Sequence, residues 1–185
     1  MSNKIVAFEY VVFRLLEWYS EKCVTGGSCK NDFSILKCLK LLFFVTAANT
    51  YKGKRSLLLE EVFSDYYAMP FGHVESAVYE ILRNQPELLE CYVIDNQCTT
   101  VKDLDSTLNL PKKLDSELKE EIDSSIRYLK SQNQALVCLS AFDLVDLSHH
   151  WYSWQHYYQR ARRNSQRSIA IPTDAIKDEN KIFSL

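Results

Sequence analysis

Glycine and proline are scarce, with four of each among 185 residues. So few turn formers argue against a loop-rich or all-β chain and favour helices. Long hydrophobic runs are also missing. The longest apolar stretch, Leu41 to Ala48, contains Thr46 and is far too short to span a bilayer. The opening residues Met1-Ser2-Asn3-Lys4 lead straight into amphipathic sequence holding Glu9, Arg14 and Glu17, which fits neither a signal peptide nor a membrane anchor. Charge of one sign is absent as well. Twenty-two basic side chains face 24 acidic ones, for a net charge of −2, so no whole-molecule field draws in nucleic acid or an anionic membrane. These absences predict a soluble, cytoplasmic chain with no membrane partner.

The familiar chemical motifs are lacking too. Cys23, Cys29, Cys38, Cys91, Cys98 and Cys138 show no paired two-residue spacing of a structural zinc site. They read as six reduced, unpaired thiols, mostly buried, and nothing local marks one as an activated nucleophile. His149, His150 and His156 cluster, but the glutamate between two histidines four apart that a zinc protease needs is missing. Only His149 and His156 could share a helical face, and no carboxylate stands beside them at ligand spacing. No glycine-rich phosphate loop occurs. The expectation is a chain without catalytic residues, metal or cofactor, and not an enzyme.

What is present is an ordinary globular balance, 46% hydrophobic and 25% charged. A chain of this length can bury about 70% of its unfolded surface. The fold expected is mainly α, a compact multi-helix domain over residues 1–164 with a tail at 165–185 that is irregular or packed on it. Ile5, Phe8, Val12, Leu15, Leu16 and Tyr19 mark a helix from Asn3 to about Lys22, broken by Gly26-Gly27. Asp32 is a plausible N-cap for the next, whose row is Ile35, Leu39, Leu42 and Val45. That helix is apolar nearly all round from Leu41 to Val45, which places it at the centre. Leu57 to Met69 has both helical spacing and β-formers. A helix follows from about Val74 to Asn84. Tyr92-Val93-Ile94 and Thr99-Thr100-Val101 flank Asp95-Asn96-Gln97, which predicts a hairpin as the only regular β-structure. Asp115 caps another helix, with Leu118, Ile122, Ile126 and Leu129 inward, and Ser140 with Asp143 has the spacing of a capping box.

Trp151 to Arg163 holds three Tyr, two Trp and three Arg in thirteen residues. Arg160, Arg162, Arg163 and Arg167 follow Tyr157 and Tyr158, a pattern that suits phosphate contacts interleaved with stacking rings. The plainer reading is a solvated helix end whose cations offset the carbonyl dipole, with Asp143, Asp146, Asp174, Asp178 and Glu179 nearby in sequence.

Two separated signatures carry a family resemblance. Lys40-Leu41-Leu42-Phe43-Phe44, then Phe63-Ser64-Asp65-Tyr66, then Gly72-His73-Val74 and Val78-Tyr79, resemble the Panacea domain (the SocA-like, phage-associated group) in order and spacing. That family has a Lys-Leu-Leu-Tyr helix, an aromatic segment, a Gly-Pro-Val turn and a helix with a Val-Tyr pair. Leu147-Ser148-His149, with Trp154 five residues on, is similar to its Leu-Thr-His…Trp element. The resemblance spans about Leu36 to Ala161. Its main departure is His73 where the family has proline, with Pro70 placed earlier.

The resemblance implies a mostly helical domain with a small β element, in which His149 ends a helix and the Trp154 ring closes over it, the imidazole orienting the loop by hydrogen bonds. It further implies an antitoxin that neutralises a cognate toxin, encoded by a neighbouring gene, by direct binding. Aromatic and Arg anchors supply most of the energy in such interfaces, which makes Trp151, Trp154, Tyr157, Tyr158 and Arg160 the candidate contact residues. The alternative is a nucleic-acid-binding regulator using Arg160 to Arg167.

Overall fold

The computed structural model describes residues 3–26 and 30–185. The chain is mainly α, with small antiparallel sheets. In order come α1 (Asn3–Gly26), α2 (Ile35–Ala47), a π-helical turn (Leu58–Val62), β1 (Tyr66–Met69), β2 (Gly72–Glu75), α3 (Ser76–Asn84), β3 (Tyr92–Ile94), β4 (Thr99–Val101), α4 (Leu104–Lys113), α5 (Ser116–Gln132), α6 (Ala141–His149), α7 (Tyr152–Arg163), β5 (Ile169–Ala170) and α8 (Thr173–Asp178). Among the described residues no helix is long and apolar enough to cross a membrane.

Helix α2 is the axis of the core. All but one of its thirteen residues are buried, including Lys37 and Lys40, as expected of a helix that is apolar nearly all round. Its cap is Ser34, whose hydroxyl accepts from the Lys37 amide, not the predicted Asp32. Asp32 instead takes the Lys37 ammonium at 2.6 Å, an ion pair that lets this lysine lie inside. Helices α1, α5 and α6 pack around α2. Asp115 caps α5 and the Ser140–Asp143 capping box opens α6, both as the sequence predicts.

The predicted hairpin forms, with Tyr92 opposite Val101 and Ile94 opposite Thr99. It is not the only β-structure, however. A second sheet runs in the order β2-β1-β5. Within it Ala68 lies opposite both His73 and Ile169. The ambiguous stretch from Leu57 therefore divides into a π-helical turn and a strand. Val74, assigned to a helix by its spacing, is a β2 residue, because the Gly72 turn sends the chain back along β1 before α3 can start. Helix α4, with Pro111 in its interior, is not among the helices expected from the sequence.

Cys23 is disulfide-bonded, which corrects the expectation of six free thiols. Its partner lies outside the described residues, as do Cys29 and Gly27. Cys23 is half-buried near the end of α1, so the burial assumed for the set does not sequester it. Cys38, Cys91, Cys98 and Cys138 are free.

Residues 165–185 pack on the helical body. β5 joins β1, Ile176 is buried on α8, and Phe183 lies in the core.

Candidate functional site

The separated motif residues meet at one place. Lys40 comes from α2, Gly72 and His73 from β2, Leu147, Ser148 and His149 from α6, and Trp154 from α7. Lys40, His73 and Ser148 have no solvent-exposed surface. The Lys40 ammonium donates to the His73 carbonyl. The His73 ring lies flat on Phe43, centroids 3.7 Å apart and 7° from parallel, and its Nε2 shares a 2.7 Å hydrogen bond with Ser153 Oγ.

Gly72 makes the meeting possible. Its φ of +90° is open to glycine and strained for other residues. A Cβ there would stand 2.1 Å from Ser148 Oγ and 2.9 Å from Lys40 Nζ. Of the other motif residues, Val74 and Leu147 are buried, while Tyr79 is half-buried with the Arg83 guanidinium over its ring.

The electrostatics are those of a buried cluster. Burial pushes the Lys40 ammonium down to about 7. Among the described residues its one hydrogen-bond acceptor is the His73 carbonyl, against the three N–H groups it carries when charged. His73 is held well below the ordinary imidazole value by burial first, then by Lys40 and His149. Its Nδ1 is buried with no hydrogen-bond partner. A near-neutral lysine beside an imidazole has the makings of a base or nucleophile. Here its groups are sealed from solvent. The cluster joins α2, β2, α6 and α7.

His149 ends α6, and the Trp154 indole stacks on its ring at 3.8 Å and 16° from parallel. Its Nε2 is buried without a hydrogen-bond partner of normal geometry. The ring stacks on Trp154, and the Pro70 backbone offers it a hydrogen-bond contact. The loop is also tied through the His149 carbonyl, which accepts from Gln155 Nε2 at 2.9 Å. Trp154 donates to the Met69 carbonyl at 2.8 Å, fixing α7 to the end of β1.

The candidate contact residues do not form one surface. Trp151 is wholly buried: its ring packs on Phe43 and Phe183, and its Nε1 donates to the Ile182 carbonyl at 2.9 Å. It is a core residue, standing at the N-cap position of α7 with its ring turned into the aromatic cluster. Trp154, Tyr157 and Tyr158 are half-buried against the core. Arg160 is exposed, but at about 100° per residue it lies nearly across α7 from Tyr158.

The exposed rings are others. Phe71, at the β1–β2 turn, is 54% exposed and Phe142, in the first turn of α6, is 65% exposed. The two meet edge to face at 6.4 Å. Tyr152 is 66% exposed. Beside Phe71, Pro70 forms one wall of a groove of about 410 Å³ whose other walls are Tyr158, Arg162, Ser165, Gln166 and Arg167. Sequence reading does not show the Phe71–Phe142 pair, since residues 71 apart become neighbours only through the unpredicted β1–β2 hairpin. Among the described residues no three His, Cys, Asp or Glu side chains converge as a metal site. Comparison with protein families, with characterised proteins and with solved structures finds no match for this chain.

Proposed function

We propose that this chain is a cytoplasmic, non-enzymatic binding protein of Panacea type that neutralises a toxin, encoded by a neighbouring gene, by direct contact. The observation that carries the reading is the Phe71–Phe142 pair. Two large apolar rings more than half exposed, in mutual contact, and mounted on the elements that carry the family-like residues, form an anchor awaiting a partner. Gly72 and His73 fix the turn that holds Phe71 from below. The capping box fixes the helix start that holds Phe142. Occlusion of the partner's active site by this preformed surface requires no turnover.

The test is co-expression with the product of the adjacent gene, reading growth rescue and co-purification. Phe71→Glu and Phe142→Glu, at exposed positions, should each abolish rescue while the melting temperature holds. Rescue that survives both changes in a folded protein moves the interface elsewhere. A harmless neighbour that does not bind defeats the antitoxin reading.

A further inference from the structure

We propose that the groove between Pro70 and Arg167 is a binding site for a nucleotide unit, with the base on the Tyr158 side and the phosphate on Arg162 and Arg167. It stands independently of the protein-binding surface. Three observations converge on it.

The first is the lining. Arg162, Arg167, Gln166, Ser165 and Tyr158 bring hydrogen-bond donors to one concavity, and no carboxylate is among its walls. None of Arg160, Arg162, Arg163 or Arg167 forms an ion pair among the described residues, whereas Arg14, Arg55 and Arg127 do. From His149 to Thr173 the chain carries these four arginines and no acidic residue. A cup of donors with uncompensated cations suits an anion, and a planar guanidinium matches phosphate geometry in particular.

The second is the ring column. His149, Trp154 and Tyr158 stack one on the next at 3.8 and 4.8 Å, each step 16° from parallel. The column ends at Tyr158, a groove wall. An aromatic ring held in this way is a stacking platform for a further flat group, and every base offers a π-face.

The third is preorganisation. The groove's arginines stand on either side of a tight helix stop. Ser165 adopts a left-handed conformation with φ +55°. Its amide returns to the Arg162 carbonyl at 3.1 Å and that of Gln166 to the Ala161 carbonyl at 2.9 Å, the double bond of a Schellman cap. The Ala161 and Arg162 carbonyls, which would repel an anion at this helix end, are thereby occupied. β5 then pairs with β1 and fixes Arg167 from the other side. A volume of about 410 Å³ is on the scale of one small ligand, and the net charge of −2 disfavours an extended polyanion track.

Titration of the full chain with four probes tests the site: ADP, a fluorescein-labelled ten-thymidine single strand, inorganic phosphate, and a poly-glutamate peptide. Tryptophan fluorescence reports the first, third and fourth, through Trp154 in the column, and anisotropy reports the second. Saturable binding of ADP or of the strand is expected, weakened tenfold or more by Arg162→Glu and by Arg167→Glu. Tyr158→Leu should lose a similar factor, while Tyr158→Phe keeps the ring and the affinity. ADP tighter than the strand, per site, identifies a free nucleotide as the source; the reverse identifies single-stranded nucleic acid. Phosphate alone matching ADP, poly-glutamate matching either nucleotide probe, the absence of binding by both nucleotide probes, or binding indifferent to both arginine changes would each overturn the proposal.

Discussion

Lys40 places an ionisable amine in the interior, where the His73 carbonyl receives it, and the energetic consequence is readable in pH. An unfolded lysine titrates near 10.5, while burial holds this one at about 7. Between those values the unfolded chain carries a proton on this lysine that the folded chain does not, so the Lys40 contribution to stability rises with pH across that range, opposed above about 9 by the Cys38 and Cys91 thiols that burial raises. Lys181, which burial lowers to about 8, adds the same sign above its own value. His73 and His149 are both depressed by burial, so they act likewise below 6.5: acidification protonates the unfolded state first and costs stability. Glu9 and Glu179, whose carboxyls burial raises, oppose this just above 4.5. Each full proton is worth about 1.4 kcal/mol per pH unit. Denaturant unfolding should show the protein about 1.5 kcal/mol more stable at pH 8.5 than at pH 7 from Lys40 alone. Lys40→Met should remove that increment and leave the smaller one from Lys181, and a slope equal to the wild type's in folded Lys40→Met would show that the ammonium keeps its proton.

At the scale of elements, the end of α7 is closed by a residue poorly suited to the conformation it adopts. Ser165 takes the left-handed position that glycine usually fills at such a stop. A side chain there costs about 1 kcal/mol, only partly offset by glycine's greater unfolded entropy. Ser165→Gly should therefore raise the melting temperature by a few degrees, and Ser165→Val should lower it by more. A stabilising valine would show that the cap is not made. Helix stops and starts of this kind differ in how far sequence reveals them. Asp115 and the Ser140–Asp143 box were legible because a side chain caps a neighbour two or three residues away. The α1, α2 and α5 faces were legible because helical spacing is local. The β1–β2 hairpin was not, because its turn, Met69-Pro70-Phe71-Gly72, is defined by where Lys40 and Ser148 allow the backbone to approach. The residues gathered at the sealed cluster were thus visible one by one. Their meeting depended on contacts between α2, β2, α6 and α7 that no short window contains. The groove was half legible: its arginines stood out, while Pro70 reached it only through that same hairpin.

For the molecule as a whole, the decisive feature is how the late segments return to the centre. β5 adds to the edge of β1, and Ile171 continues the ladder by donating to the Tyr66 carbonyl at 2.8 Å. Beyond α8 the backbone runs over Trp151, whose indole Nε1 donates to the Ile182 carbonyl, and the Asn133 side chain donates to the Phe183 carbonyl at 2.7 Å. The Phe183 ring then fits edge-on among Phe44, Tyr128 and Trp151, with centroid separations of 6.2, 6.1 and 5.8 Å. It closes the same core that α2 organises and that α6 and α7 clasp from the other side. Phe183→Ala removes a buried ring from a packed aromatic cluster, and losses of that kind cost about 3–5 kcal/mol. Deleting residues 181–185 should cost more, since it also orphans the Trp151 and Asn133 donors, each worth about 1–3 kcal/mol when left buried without a partner. Both changes are read as denaturant midpoints at constant slope. Because Phe183 meets Trp151 edge to face, the Phe183→Ala protein should also show a shifted tryptophan emission before unfolding begins. A variant with wild-type midpoint and emission would mean that the core is complete without this segment, with Trp151 held by α2 and α6 alone.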